Sequence, residues 1–360
     1  MLRLSSRGNY LEECASSVPN NKPTIDDVAK LAAVGRTTVS RVLNDKPNVR
    51  EQVRLRVMAA VEQLDFKVNL QARNLAGKSA KRILLIHASD FDTEPNSYYS
   101  SAIELGATRA AIRLGVQLTT HIVNQNDPAA GSSIARLVRE VRAEGLVLTP
   151  PFSDNLELVH SIQALDCGVV CIAGGAVMSK IATTVSIDDR QAGYEIGRHL
   201  VANGHRRFGF VRGIRDHLSA ENRFSGFLEA LVEAGIVEND IISERGNFTF
   251  RSGFDCAQRI LAQANRPTAI ACANDDMAAG ALLAAHKAGC EIPKDLAITG
   301  FDDTPVSEIV WPPLTTVHQP LRRMGERAVE HLAEAGRAIG PDVELIEYRL
   351  IIRESTQFCG

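Results

Sequence analysis

From Ile83 to the end of the chain, short apolar segments alternate with longer amphipathic ones, and this alternation restricts the fold more than any other feature. It predicts strands over residues 83–88, 117–123, 145–149 and 169–173, with helices near 99–114, 132–144 and 154–166 between them. Parallel strands need a long crossover connection, and an intervening helix supplies it. A second series follows, with strands near 207–212, 268–273, 295–300 and 345–352 and helices near 190–203, 222–234, 252–264, 275–288 and 321–335. Two such series in one chain predict two similar α/β lobes with a cleft between them.

The alternation does not reach the N-terminus. Residues 1–21 are polar and aperiodic, are expected to form a disordered tail, and are assigned no role. Thr24 then begins a short helix: its hydroxyl can cap the first turn, Asp27 stands three residues on, and Val28, Leu31 and Ala32 give one apolar face. After a break at Ala33-Val34-Gly35, a second helix is expected from about Arg36 to Leu43, with Val39, Val42 and Leu43 inward. A third, from about Arg50 to Leu64, turns Val53, Val57, Ala60, Val61 and Leu64 inward and Arg54 and Arg56 outward. Asn69 to Gly77 would make two helical turns, too few to be stable alone in water. The expected organisation is a tail over 1–21, an all-α helix-turn-helix domain over 22–67, a hinge helix and linker over 68–80, and a two-lobed ligand-binding and dimerisation domain over 81–360.

Charge divides the same way. Lys22 to Lys78 carries eleven Lys/Arg against six Asp/Glu, a net of +5 in a chain whose total is -3. A basic head on an acidic body suits localised contact with DNA. The first residues lack the basic-then-apolar order of a secretory signal, and no apolar run reaches membrane-helix length, so a cytoplasmic, nucleoid-associated protein without membrane contact is expected. Seven cysteines with no C-x-x-C pair suit reduced, buried thiols better than disulfides or zinc. There is no Gly-rich phosphate loop, no G-x-S-x-G elbow and no metal-spaced His cluster, so the chain is expected to be neither an enzyme nor a carrier of a cofactor or metal. His87, His205 and His318 are expected to be packing or surface residues.

The helix, three-residue turn and helix from Thr24 to Asn44 have the form of a DNA-binding helix-turn-helix. Arg36, Thr37 and Arg41 share the exposed face of the second helix near its N-terminus, from which they could reach base edges in the major groove. Thr38, Ser40 and Asn44 offer short polar groups for the phosphate backbone. A small helical subdomain with a solvated polar face is the competing reading, and helix spacing, local basicity and the linker behind it together weigh against that.

The segment from Thr24 to Gly77 resembles the headpiece and hinge of the lactose/galactose repressor (LacI/GalR) family, and the resemblance continues through the body. It implies a regulator of the repressor kind that binds a near-palindromic operator as a homodimer. Arg36 and Thr37 would be the main base readers, and Thr24, Asn69 and Arg73 would join the DNA contacts. Leu75 would be an apolar wedge in the minor groove, where unstacking a base step costs a few kcal/mol. Two departures stand out: Ala33 replaces the family's usual turn glycine, and Gly35 replaces the usual serine at the start of the recognition helix.

In the body, polar or aromatic residues stand at four strand ends or nearby loops, where open α/β sheets bind ligands. They are Asn274 in Ala273-Asn-Asp-Asp276, Asp302 in Gly300-Phe-Asp-Asp303, Arg223 after the loop 215–221, and Phe248 in Gly246-Asn-Phe-Thr249. Taken singly, each Asn or Asp is more simply a helix cap. Together they match the family's effector positions: Arg223 and Asp302 would hydrogen-bond the ligand, Asn274 would add a bidentate amide and Phe248 would stack on it. Tyr98 or Tyr99, Asp90, Phe152 and Asp154 are weaker candidates from the first lobe, Tyr99 being preferred. An aromatic plate with Asp, Asn and Arg suits a sugar effector; a purine or other metabolite is the alternative, since similar family sites bind purines. A solute-binding transport protein is the competing class, opposed by the basic head and the lack of an export signal.

Overall fold

The computed structural model describes residues 23–43, 49–64, 66, 81–91, 97–237 and 241–357. The chain divides between Ser79 and Ala80 into two units.

The smaller unit contains α1 (Ile25–Leu31), α2 (Arg36–Leu43) and α3 (Glu51–Gln63). Thr24 starts α1 with a reciprocal cap: the Asp27 amide donates to Thr24 Oγ1 (3.3 Å), and the Thr24 amide donates to Asp27 Oδ2 (2.8 Å). The three helices enclose Val28, Ala29, Ala32, Val39, Val42, Val57 and Ala60. Between α1 and α2, Ala33 sits at φ 51°, in the left-handed region that costs a side-chain-bearing residue on the order of 1 kcal/mol. The departure from glycine is therefore accommodated with strain, and the turn keeps its shape.

The larger unit opens with β1 (Arg82–Ser89), α4 (Ser97–Leu114), β2 (Gln117–Asn124), α5 (Ala130–Val141), β3 (Gly145–Leu148), α6 (Leu156–Gln163), β4 (Gly168–Ile172) and β5 (Thr183–Ser186). These form the first lobe. The second comprises α7 (Asp189–Ala202), β6 (Phe208–Arg212), α8 (Leu218–Glu233), β7 (Ile242–Arg245), α9 (Phe250–Leu261), β8 (Ala269–Cys272), α10 (Asp275–Lys287), β9 (Ala297–Thr299), α11 (Pro305–Ile309) and β10 (Thr316–His318). Then α12 (Leu321–Ala335) and β11 (Val343–Leu345) return to the first lobe, and β12 (Arg349–Ile351) pairs antiparallel with β10.

Both main sheets are parallel: the first runs β11-β5-β4-β3-β1-β2 and the second β7-β6-β8-β9. Helices cover both faces, which is why β1 reads as the unbroken apolar run Ile83-Leu-Leu-Ile86. Ile83 and Leu85 enter one core cluster, while Leu84 and Ile86 enter the other. Five of the cysteines, from Cys167 to Cys290, are free and buried.

The chain path differs from expectation in two respects. The single strand expected over 345–352 is two strands in different sheets, since β11 pairs with β5 of the first lobe. Helix 321–335, expected in the second series, packs on α4 of the first lobe; a Cβ on Gly106 would lie 1.8 Å from the Arg322 carbonyl oxygen. The strands β5, β7 and β10 were not anticipated.

The second lobe has a similarly close crossing. A Cβ on Gly193 would lie 2.0 Å from the Arg223 carbonyl oxygen, and one on Gly226 would lie 1.8 Å from that of Arg190. No rotamer relieves a clash with backbone, so α7 and α8 approach this closely only because both residues are glycine. The contact seats Asp189 beside Arg223. Gly226→Ala is expected to force the helices apart and lower stability by about 1–3 kcal/mol, read as a lower midpoint in urea unfolding of the full chain.

Candidate functional site

Two groups of residues were expected to carry function. On α2, Arg36, Thr37 and Arg41 are exposed, while Val39 and Val42 are buried, so the polar face of the helix is free for a partner. Thr38 and Ser40 lie half-buried at its flanks. Gly35 accepts the Thr38 amide through its carbonyl (2.8 Å) and has no hydroxyl of its own to add a side-chain cap. Arg36 approaches Asp26 of α1 at 3.8 Å in an exposed ion pair that contributes little. The hydroxyl of Thr24 is engaged in the α1 cap, donating to Asp27 Oδ2 at 2.7 Å. Asn44, Asn69, Arg73 and Leu75 lie outside the described residues.

In the larger unit, Tyr99, Arg223, Phe248, Asn274 and Asp302 line one cavity of about 110 Å³. It lies between the lobes, with Ala88, Ser89 and Gln125 on the first-lobe side. Arg223 projects from α8, and its side chain is only 6% exposed. Its Nε donates to Asp189 Oδ1 (2.8 Å) and its Nη1 to the Ala273 carbonyl (2.9 Å). The guanidinium carbon stands 3.7 Å over the ring of Phe301. Nη2 has no partner among the described residues, so its two donors remain available to a ligand.

Asp302 follows β9 at φ 105°, and Asp303 follows at φ 55°. Consecutive aspartates in this region mark strain at a site, held by its surroundings. Here Gln319 Nε2 donates to Asp302 Oδ1 (2.7 Å), and the Asp302 amide donates to the Val317 carbonyl (2.9 Å). Burial pushes the Asp302 carboxyl up to about 7 against the opposing pull of Arg223 and Gln319.

Asn274 lines the cavity and is also the helix cap that its place after a strand suggested. Its Oδ1 accepts the Met277 amide (3.0 Å) as the N-cap of α10, and its Nδ2 donates to the Phe248 carbonyl (3.0 Å). Each end of the amide is used once, so Asn274 positions the Phe248 loop while keeping one N–H and one lone pair of the oxygen. Phe248 itself is at φ 67°, and its ring lies over Gly213, where a Cβ would come within 2.3 Å of Phe248 Cζ.

His217, not anticipated, also lines the cavity, with its ring centroid 4.8 Å from that of Phe248 at 54°. Burial, reinforced by the charge of Arg223, lowers its imidazole to about 3, so the ring is neutral at pH 7. Nothing but its place directly before a helix bordering the cavity could have marked it. Of the weaker candidates, Asp90 lines the cavity, whereas Phe152 is buried in the first lobe's second core cluster. Asp154 accepts the amides of Gly175 (3.0 Å) and Leu218 (3.3 Å), linking the first lobe to the start of α8. Among the described residues no cluster of His, Cys, Asp or Glu could hold a metal, and no helix is long and apolar enough to cross a membrane.

Residues 24–69 match the model of bacterial regulatory proteins of the lacI family, and residues 197–356 match that of a periplasmic binding protein-like domain. An HTH-type transcriptional repressor PurR of Mannheimia succiniciproducens is 33% identical over 340 residues, covering 93% of this chain and 98% of that protein. The chain belongs to the lacI family. A probable HTH-type transcriptional repressor ExuR of Bacillus subtilis is 28% identical, over 86% of this chain and 90% of its own. Among solved structures, the lac repressor dimer bound to operator and an anti-inducer superposes with a TM-score of 0.71 at 27% identity, covering 93% and 99% of the two chains. A complex of the regulator CelR with cellobiose gives 0.68 at 27%, covering 92% and 99%. As a member of the lacI family, this chain is a DNA-binding, allosterically regulated repressor and not an enzyme.

The raised carboxyl of Asp302 has a measurable consequence. Its folded-state value lies above the unfolded one, so as pH rises from about 4 to about 7 the unfolded chain releases this proton first and the fold loses stability. Asp302→Asn lacks that loss. The variant's stability relative to the wild type is expected to rise by roughly 1–4 kcal/mol across that window and stay level above it, read from urea unfolding at stepped pH.

Proposed function

We propose that this repressor takes a planar nitrogen heterocycle of the purine class as its effector, held in the cavity between the lobes. The observation that carries this reading is the pair of rings, Phe248 and His217, set beside an Arg223 whose Nη2 is uncommitted. A flat base can stack on Phe248 while its ring nitrogens and exocyclic groups meet Nη2 of Arg223 and Oδ2 of Asp302. A sugar needs several fixed polar partners for its hydroxyls, and Asn274 already spends one donor and one acceptor on its own fold. The relatives named PurR, at 31–33% identity, support the same reading. A sugar is the second reading, favoured by the likeness to the CelR–cellobiose complex.

In this reading the head spans 22–67, the hinge and linker 68–80 and the effector domain 81–360. Arg36, Thr37 and Arg41 enter the major groove, with Thr38 and Ser40 toward the phosphates. A ligand that prefers one closure state of the lobes shifts operator affinity by its preference, commonly about 1–3 kcal/mol. The test is operator binding by the full-length protein with adenine, guanine or cellobiose added. A nucleobase is expected to change operator affinity by about tenfold, and Arg223→Ala to bind operator without that response. A response to cellobiose alone would replace the purine reading, and an Arg223→Ala protein that responds normally would move the effector elsewhere.

The reading also includes a homodimer, since one helix-turn-helix reads only half of a near-palindromic operator. An apolar patch on the second lobe supports it. Ile309 and Trp311 are 79% and 80% exposed, and His286 of α10 donates from Nε2 to the Trp311 carbonyl (3.0 Å), joining that segment to the helix carrying Leu283. Large apolar side chains left in water side by side mark an interface. Replacing both Ile309 and Trp311 with Asp is expected to halve the particle mass in light scattering and to weaken operator binding, since each chain then reads its half-site alone. A wild-type monomer would refute the dimer.

A further inference from the structure

Behind the effector cleft lies a second cavity, of about 340 Å³, whose walls include Tyr98 of α4, Asp302 and Asp303 after β9, and His318, Arg322 and Arg323 where β10 passes into α12. Asp302 lines both cavities. The charges here are not balanced pairwise. Asp303 is covered twice, by Arg353 Nη2 at 2.7 Å and by His318 Nδ1 at 2.9 Å. Asp302 accepts from Gln319 and faces Arg223 at 3.9 Å on its other side. Arg323 reaches Glu326 at 3.1 Å and Glu330 at 3.5 Å. Arg322, exposed at the edge of the cavity, has no carboxylate partner among the described residues.

The two arginines also sit where a helix tolerates cations least. Arg322 and Arg323 occupy the first turn of the fifteen-residue α12, which has no acidic residue in that turn. The dipole there disfavours a cation by about 0.3–1 kcal/mol. Glu326 and Glu330 offset this for Arg323, so the uncompensated cost falls on Arg322, and such a local loss is expected where a ligand recovers it.

We propose that this cavity is a second ligand site, which takes the phosphate group of a small phosphorylated metabolite. Arg322 supplies the uncommitted guanidinium, and the Tyr98 hydroxyl meets the same group from the first lobe. The site joins α4 of the first lobe to the passage by which the chain leaves the second, so an occupant bears on the angle between lobes. It stands apart from the purine reading of the neighbouring cleft.

The probe is inorganic phosphate, titrated calorimetrically into the full-length protein at constant ionic strength, with chloride and acetate as the other arms. Saturable binding of phosphate is expected, with Arg322→Gln weakening it about tenfold or more. Arg109→Gln, which removes the same charge from an exposed position of α4, is expected to bind as the wild type does. The proposal is overturned if phosphate binds no better than chloride, if acetate binds as tightly as phosphate, or if Arg322→Gln and Arg109→Gln behave alike. Loss of binding in Arg223→Ala with retention in Arg322→Gln would place the anion in the effector cleft and equally reject this site.

Discussion

The architecture of the effector domain converges on the side chain of Arg223. A guanidinium with 6% exposure needs its charge answered, and here Nε meets Asp189 of α7 and Nη1 the carbonyl at the end of β8, while its face rests on Phe301. Removing one partner of such a pair leaves an uncompensated buried charge. The pair depends in turn on the contact of Gly193 with α8 and of Gly226 with α7, since two helices held farther apart would separate Asp189 from Arg223. The guanidinium of the cavity wall is thus fixed by packing well below the cavity surface.

Around that donor, strain is concentrated and held. Phe248, Asp302 and Asp303 all have positive φ, and each is gripped from outside its own segment: Phe248 by the Asn274 amide, Asp302 by Gln319, Asp303 by Arg353 and His318. Asp275, buried at the start of α10, accepts the Thr304 amide at 2.7 Å and the Thr316 hydroxyl at 2.6 Å, and so ties the same loop to β10. Backbone forced into these conformations places an aromatic face and a carboxylate before any ligand arrives. Less ordering then remains to oppose binding.

The α/β alternation and the helix-turn-helix were legible because each rests on local periodicity: Val39 and Val42 repeat at helical spacing, and Ile83–Ile86 is a buried strand that reads as one. The candidate cleft residues were legible because strand ends in such sheets are where ligands meet the chain. What stayed hidden is not local. Ile242–Arg245 alternates between half-buried and exposed at the sheet edge and carries no apolar run to betray a strand. Residues 345–352 look like one strand because periodicity cannot report that the chain changes sheets there. His217 escaped because a histidine in a polar loop carries no pattern, and only the fold brings it against Phe248. Asn274 was recognised as a cap or a ligand group, and the structure shows that its second hydrogen bond makes it the clamp of a loop 26 residues upstream.

Control of DNA binding by a ligand requires two closure states with different affinity for it, and the contacts between the lobes determine how much the states differ. Among the described residues, the chain passes between lobes after Ser186, after His318 and after Leu345, so a hinge motion must be absorbed in those short segments. Asp154 adds a non-covalent restraint, because a carboxylate of the first lobe receives the Leu218 amide at the N-terminus of α8, the helix that carries Arg223. Burial raises that carboxyl to about 6, so it is still mostly ionised at pH 7 and able to accept. A ligand that draws Arg223 toward the first lobe therefore works on the same helix that Asp154 holds. The cleft and the restraint between lobes act on one element, which is the arrangement a small differential affinity needs to move a whole domain.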